Sequence, residues 1–178
     1  ACGFNPGDAA DFVVVGRVAG ETDRADHIAL MHTRSLAHTR RKTLHVRMKQ
    51  HCENGRIIAQ WLRQHPKVGK VYWPGFEDHP NHAVAKKQMR DYGGMLSFVL
   101  KDESEKEARR VLSSTHLFSL AESLGGVESL INHPASMTHA SIPREERIKN
   151  GLSDALIRLS IGIEDAEDLI GDLSNAIG

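Results

Sequence analysis

The sequence lacks the features that would tie it to a membrane, to nucleic acid or to a disulfide-stapled secreted fold. No apolar run approaches the ~18 residues that a membrane-spanning helix needs. Lysine plus arginine and aspartate plus glutamate number 23 each, so the formal net charge is zero and no basic field favours nucleic acid. The two cysteines, Cys2 and Cys52, cannot form a disulfide framework, and the first residues do not have the pattern of a signal peptide. We therefore expect a cytoplasmic protein that binds neither membrane nor nucleic acid.

The sequence also lacks a recognisable phosphate loop and a complete set of metal ligands. Its glycine pairs, Gly93-Gly94 and Gly125-Gly126, are typical of turns that lead into strands. The 11 histidines invite a metal hypothesis, because zinc sites are built from three or four ligands on a rigid frame. The candidate pairs are His45 with His51, His79 with His82, and His133 with His139, and only His51 has another ligand type beside it, Cys52. We therefore predict no metal site.

What is present is an alternation of helices and strands. A long helix is predicted from Thr43 to His65, because its apolar positions recur every three or four residues. Gly55 lies on that apolar face, where we expect a close approach of another segment rather than a helix end. The other predicted elements are strands at 68–72, 95–100, 117–121, 129–131 and 155–163, a short helix at 83–89, and helices that follow Ser104, Pro143 and Asp165. The predicted fold class is α+β: a sandwich-like layer in which helices pack on one face of a mixed or antiparallel sheet.

Residues 1–42 are harder to interpret than the rest of the chain. The β-branched run Phe12–Val15 predicts a short buried strand that ends at Gly16. Residues 21–41 are polar and their apolar positions keep no clean period, so they predict a loop or a weak helix.

Arg158 is the first candidate functional residue, because it is the one charge in the apolar run 155–163. An arginine among Leu and Ile residues costs much free energy to bury unless it meets an anion. The residues alone leave two structural alternatives open: the side chain points to solvent, or it pairs with a carboxylate of the core. Glu122 and Ser123, taken alone, are consistent with a strand end and a turn.

Several long motifs resemble one family. They are KTLHVRM at 42–48, HPKVGKVYWPG at 65–75, SLAESLGGVESL at 119–130, HPASMTHASIP at 133–143 and LIRLSIGIEDAEDLI at 156–170. Their order and spacing are similar to the C-terminal part of the pyridoxal-phosphate-dependent enzymes of Cys/Met metabolism, the trans-sulfuration group. Among the family members, these motifs are most similar to those of cystathionine γ-lyase, cystathionine γ-synthase and methionine γ-lyase. The resemblance implies the C-terminal domain of a fold-type I enzyme, pyridoxal phosphate as cofactor, a sulfur amino acid as substrate, and a homo-oligomer, either a dimer or a tetramer.

The resemblance also implies roles for the three candidate site residues. Arg158 matches the arginine that clamps the α-carboxylate of the substrate, for which a planar guanidinium offers two parallel hydrogen bonds. Ser123 matches a residue beside that carboxylate. Glu122 matches a position that faces the distal end of the substrate and is associated with specificity.

The first part of the chain departs from the family pattern. Asp11 and Gly16 match the tail of the cofactor-lysine motif, and counting back from Asp11 places the Schiff-base lysine at Phe4. Residues 1–41 contain no lysine, and Thr39-Arg40-Arg41 stands where the family has Arg-Gly before KTL. That lysine anchors the cofactor and moves protons, so its absence bears directly on catalysis.

These observations lead to two hypotheses of different classes. In the first, the chain is a truncated or divergent carbon–sulfur lyase or transferase, with residues 1–42 a degenerate remnant of the cofactor domain or a linker and residues 43–178 the C-terminal domain. In the second, residues 43–178 form a non-catalytic subunit or amino-acid-binding module. No catalytic residue is identified under either hypothesis.

Overall fold

The computed structural model describes the backbone from Arg24 to Gly178 and the side chains from Arg41 onward. In chain order the elements are α1 (Arg24–Gln64), β1 (Val68–Tyr72), α2 (His82–Gln88), β2 (Met95–Leu100), α3 (Glu105–Ser114), β3 (Ser119–Leu120), β4 (Leu130–Asn132), α4 (Arg144–Lys149), β5 (Leu156–Ser160) and α5 (Ala166–Ile177). No helix in this part of the chain is long and apolar enough to cross a membrane.

The strands form one mixed sheet in the order β1-β2-β5-β4-β3. The β1–β2, β2–β5 and β4–β5 pairs are antiparallel, and the short β3–β4 pair is parallel. The sheet therefore has β5 at its centre, although β5 is the last strand in the sequence. This central place is consistent with the apolar character of β5, because a central strand is covered more completely than an edge strand.

One face of the sheet carries the hydrophobic core. Alternate residues of β2 and β5 point to the same side, and Leu96, Phe98, Ile157 and Leu159 are all buried there. The apolar stripes of α1, α3 and α5 join the same core through Ile58, Ala59, Leu62, Ala108, Val111, Leu112, Leu169, Leu173, Ala176 and Ile177. The predicted fold class is confirmed, with three helices packed on one face of a mixed sheet.

Gly55 allows the closest approach between α1 and the rest of the fold. A Cβ atom at this position would lie 2.5 Å from the carbonyl oxygen of Gly93 and 3.0 Å from the Cα of Gly94. Both neighbours are backbone atoms that cannot rotate away, so a side chain would push the helix from the turn before β2. The sequence prediction for Gly55 is confirmed.

Helix ends agree with the sequence at two predicted caps. The Ser104 hydroxyl accepts a hydrogen bond from the Glu107 N–H, and the Asp165 carboxylate accepts one from the Glu167 N–H. Pro143 directly precedes α4, as its position predicts. The two side-chain caps fix where α3 and α5 begin.

Two predicted boundaries were wrong by more than two residues. Helix α1 begins at Arg24 and not at Thr43, so part of the segment interpreted as a loop or weak helix is continuous with the long helix. Strand β5 ends at Ser160 and not at residue 163, because the following backbone turns to bond the loop before β4: the Ile163 N–H donates to the Val127 carbonyl. The predicted strand Phe12–Val15 and the lysine position Phe4 lie outside the described residues. The division at residue 42 falls within α1 and stays a prediction.

Candidate carboxylate-binding site

A row of polar side chains crosses the face of the sheet opposite the core. Strand register places Tyr72, Ser97, Arg158 and Asn132 side by side on β1, β2, β5 and β4. Because partners in an antiparallel pair point to the same face, these four residues share one surface. We call them the polar row. Arg158 lies inside it, on the central strand, so the alternation of β5 sends its one charge away from the core.

Arg158 is held in this row by a neutral side chain. Its Nε donates a hydrogen bond of 3.0 Å to the Oδ1 atom of Asn132, which is itself completely buried. The Nη2 atom of Arg158 and the Nδ2 atom of Asn132 are both buried and have no hydrogen-bond partner among the described residues. Two buried donors without acceptors carry a desolvation cost that an incoming acceptor would remove.

The charge of Arg158 is also uncompensated. Within residues 41–178, no aspartate or glutamate forms an ion pair with it, whereas Arg144 and Arg147 share Asp154. Burial lowers the pKa of the Arg158 guanidinium below its usual value, since desolvation disfavours the charged form. An arginine pKa starts so high that the group stays protonated at neutral pH. The described residues thus give Arg158 no core carboxylate, and its Nη2 atom is buried although the residue as a whole is partly exposed.

The SLGG loop, residues 121–129, is fastened to the strand that carries Arg158. The Gly125 N–H donates a 2.8 Å hydrogen bond to the hydroxyl of Ser160, two residues after Arg158 on the same side of β5. The buried Ser129 hydroxyl accepts from the Gly162 N–H and donates to the Glu164 carboxylate. These bonds explain why two runs about 35 residues apart in sequence meet at one edge of the site.

Glu122 and Ser123 lie in this loop and are exposed. The structure brings their segment to the site through the Gly125–Ser160 bond, but it shows no hydrogen bond between either side chain and Arg158. Their positions are therefore compatible with roles at the rim of the site. The roles themselves stay predictions.

The chain after β4 forms a second support, which sequence reasoning did not identify. His133 is buried, and its ring bonds the Ser136 hydroxyl at 2.7 Å and the Asp154 carbonyl at 2.6 Å. The Asp154 carboxylate accepts hydrogen bonds from Arg144 and Arg147, and these bonds hold its pKa below the ordinary value. This network joins α4 to both ends of the segment that connects β4 with β5: His133 at its start and Asp154 near its end.

Asn132 and Ser160 are the functional candidates that the sequence did not reveal. Asn132 is the last residue of β4 and precedes the His-Pro pair. Ser160 is the last residue of β5 and accepts the hydrogen bond from the SLGG loop. A residue that acts by bonding across strands has no local pattern. Only the pairing of β4 with β5 shows that Asn132 faces Arg158.

The histidines do not form a metal centre in the described part of the chain. No three His, Cys, Asp or Glu side chains from residues 41–178 come together in a geometry that could hold an ion. His51 bonds the Ile161 carbonyl, His82 the Pro74 carbonyl, and His133 the groups described above. These contacts give three of the candidate histidines structural partners.

The described residues fit the carboxylate end of a substrate better than they fit pyridoxal phosphate. Every lysine from Lys42 onward is exposed; Lys67 bonds the Ile177 carbonyl and Lys70 lies over the Tyr72 ring. At the SLGG turn, the Gly125 N–H is already bonded to Ser160, so this turn does not offer that amide to a phosphate. The site shown is a donor pair on a sheet face. We derive no chemical step through the cofactor from these residues.

Neither of two clefts formed by the described residues includes Arg158. The two described clefts, of about 260 and 270 Å³, lie elsewhere. One is lined by Arg63, Val68, Gly69, Lys70, Val71 and Asp78, and the other by Gln50, Glu53, Asn54, Ile57, Asp165, Ala166 and Glu167. Small-molecule sites bury most of their ligand, so a complete site at Arg158 would need surrounding residues beyond the polar row.

Comparison with known proteins gives the same family along most of the chain. The sequence model for the Cys/Met metabolism PLP-dependent enzymes matches residues 31–178. Over 136 residues the chain is 59% identical to the cystathionine beta-lyase of Coxiella burnetii and 54% identical to the cystathionine gamma-lyase of Dictyostelium discoideum. Each alignment covers 76% of this chain and 35% of the relative, so the chain spans about a third of the length of these curated relatives.

A solved structure agrees with the sequence comparisons. The cystathionine gamma synthase from Xanthomonas oryzae pv. oryzae, in complex with cystathionine, matches with a TM-score of 0.72 and 50% identity over 76% of this chain and 35% of that one. The relatives' names include β-lyases and γ-lyases, so similarity does not decide the expected preference for the γ-branch. Together these matches establish that the chain belongs to the Cys/Met metabolism PLP-dependent enzyme family.

Proposed function

We propose that this chain supplies the α-carboxylate site of a pyridoxal-phosphate-dependent enzyme that acts on a sulfur amino acid such as cystathionine. The reaction is carbon–sulfur cleavage or γ-replacement. Arg158 binds the α-carboxylate, Ser123 lies beside it, and Glu122 faces the distal end of the substrate. The cofactor supplies the electron sink for this chemistry when it is bound.

The observation that carries the proposal is the unpaired arginine in the polar row. Arg158 presents a buried Nη2 donor and a charge that no described carboxylate neutralises. An α-carboxylate provides the missing charge and up to four acceptor positions. Anchoring this end of the substrate restricts the positions that its sulfur atom can reach. Arg158 is thus a positioning group for the scissile bond.

The experiment is an assay of the intact protein that contains this chain, with cofactor, on L-cystathionine. Cleavage on one side of the sulfur releases homocysteine and pyruvate, and cleavage on the other side releases cysteine and 2-oxobutanoate, with ammonia in both cases. Formation of either keto acid supports a lyase. If no keto acid forms, the same assay with an activated homoserine ester and cysteine tests for cystathionine synthesis. Failure of all three reactions would remove the enzymatic proposal.

The finer features proposed with this function come from the family resemblance. They are a cytoplasmic location and a homo-oligomer, either a dimer or a tetramer. An oligomer also offers a source of further residues around the polar row. Light scattering on the purified intact protein would measure the assembly, and a monomer that is fully active would contradict it.

A second candidate is a non-catalytic amino-acid-binding subunit. The absence of lysine from residues 1–41 favours it, since the expected cofactor lysine falls in that segment. Under this hypothesis a sulfur amino acid binds in an Arg158-dependent manner, but the purified protein turns over neither cystathionine nor the synthesis substrates. The same turnover assay tests whether the chain is a truncated or divergent enzyme, because an enzyme turns over one of these substrates and a binding subunit does not.

A further inference from the structure

We propose that Asn132 is a positioning and specificity residue for the α-carboxylate. It orients the Arg158 guanidinium and offers its own amide N–H as a second donor to the same ligand. This inference rests on the proposed function, because it concerns the ligand of that site. None of the family motifs on which the sequence interpretation relied gives Asn132 a role.

The first step is the orientation of the two side chains. Asn132 and Arg158 are direct partners across β4 and β5, and Oδ1 of Asn132 accepts the 3.0 Å hydrogen bond from Nε of Arg158. That bond fixes which end of the amide faces the arginine. Nδ2 of Asn132 is bonded to the same carbon as Oδ1, and Nη2 of Arg158 to the same carbon as Nε. Each donor without a partner, Nδ2 of Asn132 or Nη2 of Arg158, is therefore separated by a single carbon atom from an atom of this hydrogen bond.

The second step is the state of those donors. Both Nδ2 of Asn132 and Nη2 of Arg158 are buried, and neither has an acceptor among the described residues. Asn132 is completely buried among the described residues, so its open donor carries a desolvation cost. A carboxylate has two oxygens and accepts from two donors at once, which matches this pair. A neutral ligand with one carbonyl oxygen matches it less well.

The third step is the choice of an amide at this position. Aspartate has nearly the same shape and would also accept from Nε, but it would neutralise Arg158 within the fold. Asn132 holds the guanidinium equally in place and leaves its charge available. The site is therefore selective for an anion because its acceptor residue is uncharged.

Asn54, on α1, provides a matched control. It is as completely buried as Asn132. Its Nδ2 donates to the carbonyls of Gly162 and Glu164, and its Oδ1 accepts from Gln50. Asn54 has a partner at both ends and a purely structural role. Replacing it should lower stability without changing ligand preference.

The test compares two ligands in the intact cofactor-loaded protein. L-Norleucine has the shape of methionine but no C–S bond, and L-norleucinamide replaces its carboxylate by a neutral amide. Calorimetric titration of both gives an acid-to-amide affinity ratio. We expect Asn132→Ala to weaken norleucine by about tenfold, the loss of one hydrogen bond to a charged group, and to leave norleucinamide unchanged. Asn132→Asp should weaken norleucine further, by about a hundredfold, because it adds a competing negative charge.

The outcomes separate this inference from the proposed function. In an Arg158→Ala background, adding Asn132→Ala should leave the acid-to-amide ratio unchanged, as expected for coupled residues. If Arg158→Ala abolishes the ratio and both Asn132 variants keep it, the role of Asn132 is wrong and the carboxylate site stands. Equal weakening of both ligands by Asn132→Ala would show a structural role only, as would the same ratio change in Asn54→Ala. If Arg158→Ala itself leaves the ratio intact, the proposed function fails.

Discussion

Arg147 and Arg158 show two ways in which this fold holds an arginine that is partly shielded from solvent. Arg147 donates from Nη2 to the Asp154 carboxylate at 2.9 Å, and the two side chains are 13% and 15% exposed. Arg158 donates from Nε to the neutral Asn132 at 3.0 Å, and no described carboxylate pairs with it. One charge is neutralised within the fold and the other is not.

The difference supports the proposal that Arg147 serves stability and Arg158 serves a ligand. The Arg147–Asp154 pair fastens α4 to the segment before β5, so it has a structural purpose that needs no further partner. The hydrogen bond from Arg158 to Asn132 could be made equally by a neutral donor. The fold therefore does not need the charge of Arg158. Its uncompensated charge is a cost in the free protein, and a carboxylate ligand would offset that cost.

The largest expected effect is on ligand affinity at Arg158. Arg158→Ala should cost about 2–5 kcal/mol of norleucine binding free energy, the usual range for removing one partner of a buried charged pair. Arg158→Lys keeps the charge but loses the planar fork, so it should bind at an intermediate affinity. Titration calorimetry measures both. Affinities equal to that of the unmodified protein in both variants would remove Arg158 from the site.

The next effect is on stability at the neutralised arginine. Asp154→Ala leaves Arg147 without its carboxylate and should lower the free energy of unfolding by about 1–3 kcal/mol, between the values for exposed and for buried pairs. The exposed Arg63–Asp78 pair is the control, with side chains 49% and 69% exposed. Asp78→Ala should cost less than about 1 kcal/mol. Urea unfolding followed by circular dichroism compares the two, and equal losses would contradict the contrast.

Acid should weaken the same pair. The Arg147 and Arg144 hydrogen bonds hold the pKa of Asp154 below its ordinary value of 3.8. A carboxyl group with a lowered folded-state pKa contributes stability that is complete above its unfolded pKa and is lost as pH falls through the folded value. We therefore expect the stability difference between the native protein and Asp154→Asn to be constant near neutral pH and to shrink below about pH 4. A difference that is unchanged down to pH 2 would show that Asp154 contributes no such linkage.

The smallest expected effect is the stability change on removing Arg158. Arg158→Met fills a similar volume and removes the buried charge, but it leaves Oδ1 of Asn132 without its donor. These terms oppose each other, so the free energy of unfolding should change by less than about 1 kcal/mol while norleucine binding is lost. The same urea experiment tests this. A loss as large as that of Asp154→Ala would mean that Arg158 is structural in the way Arg147 is.

The fold was largely predictable from the sequence, because its signals are local. The strand Val68–Tyr72, the strand Met95–Leu100 and the caps Ser104 and Asp165 depend on periodicity and on residues within one turn. The start of α1 was not predictable in the same way, since the apolar positions before Thr43 keep no helical period.

The candidate site was predictable only in part. Arg158 is conspicuous because a charge within an apolar strand has few explanations. Asn132 is an ordinary polar residue in the sequence, and it acquires its place only when β4 pairs with β5. The same holds for Ser160, which meets the SLGG loop through a contact across 35 residues of sequence. Pairwise contacts of this kind leave no mark on either segment alone.

The most direct test is a structure of the intact, cofactor-loaded protein with L-norleucine bound. We expect one oxygen of the α-carboxylate within hydrogen-bond distance of Nη2 of Arg158 and the other near Nδ2 of Asn132, so that both buried donors acquire an acceptor. A carboxylate bound to another cation, with Nη2 of Arg158 still lacking an acceptor, would contradict the proposed site.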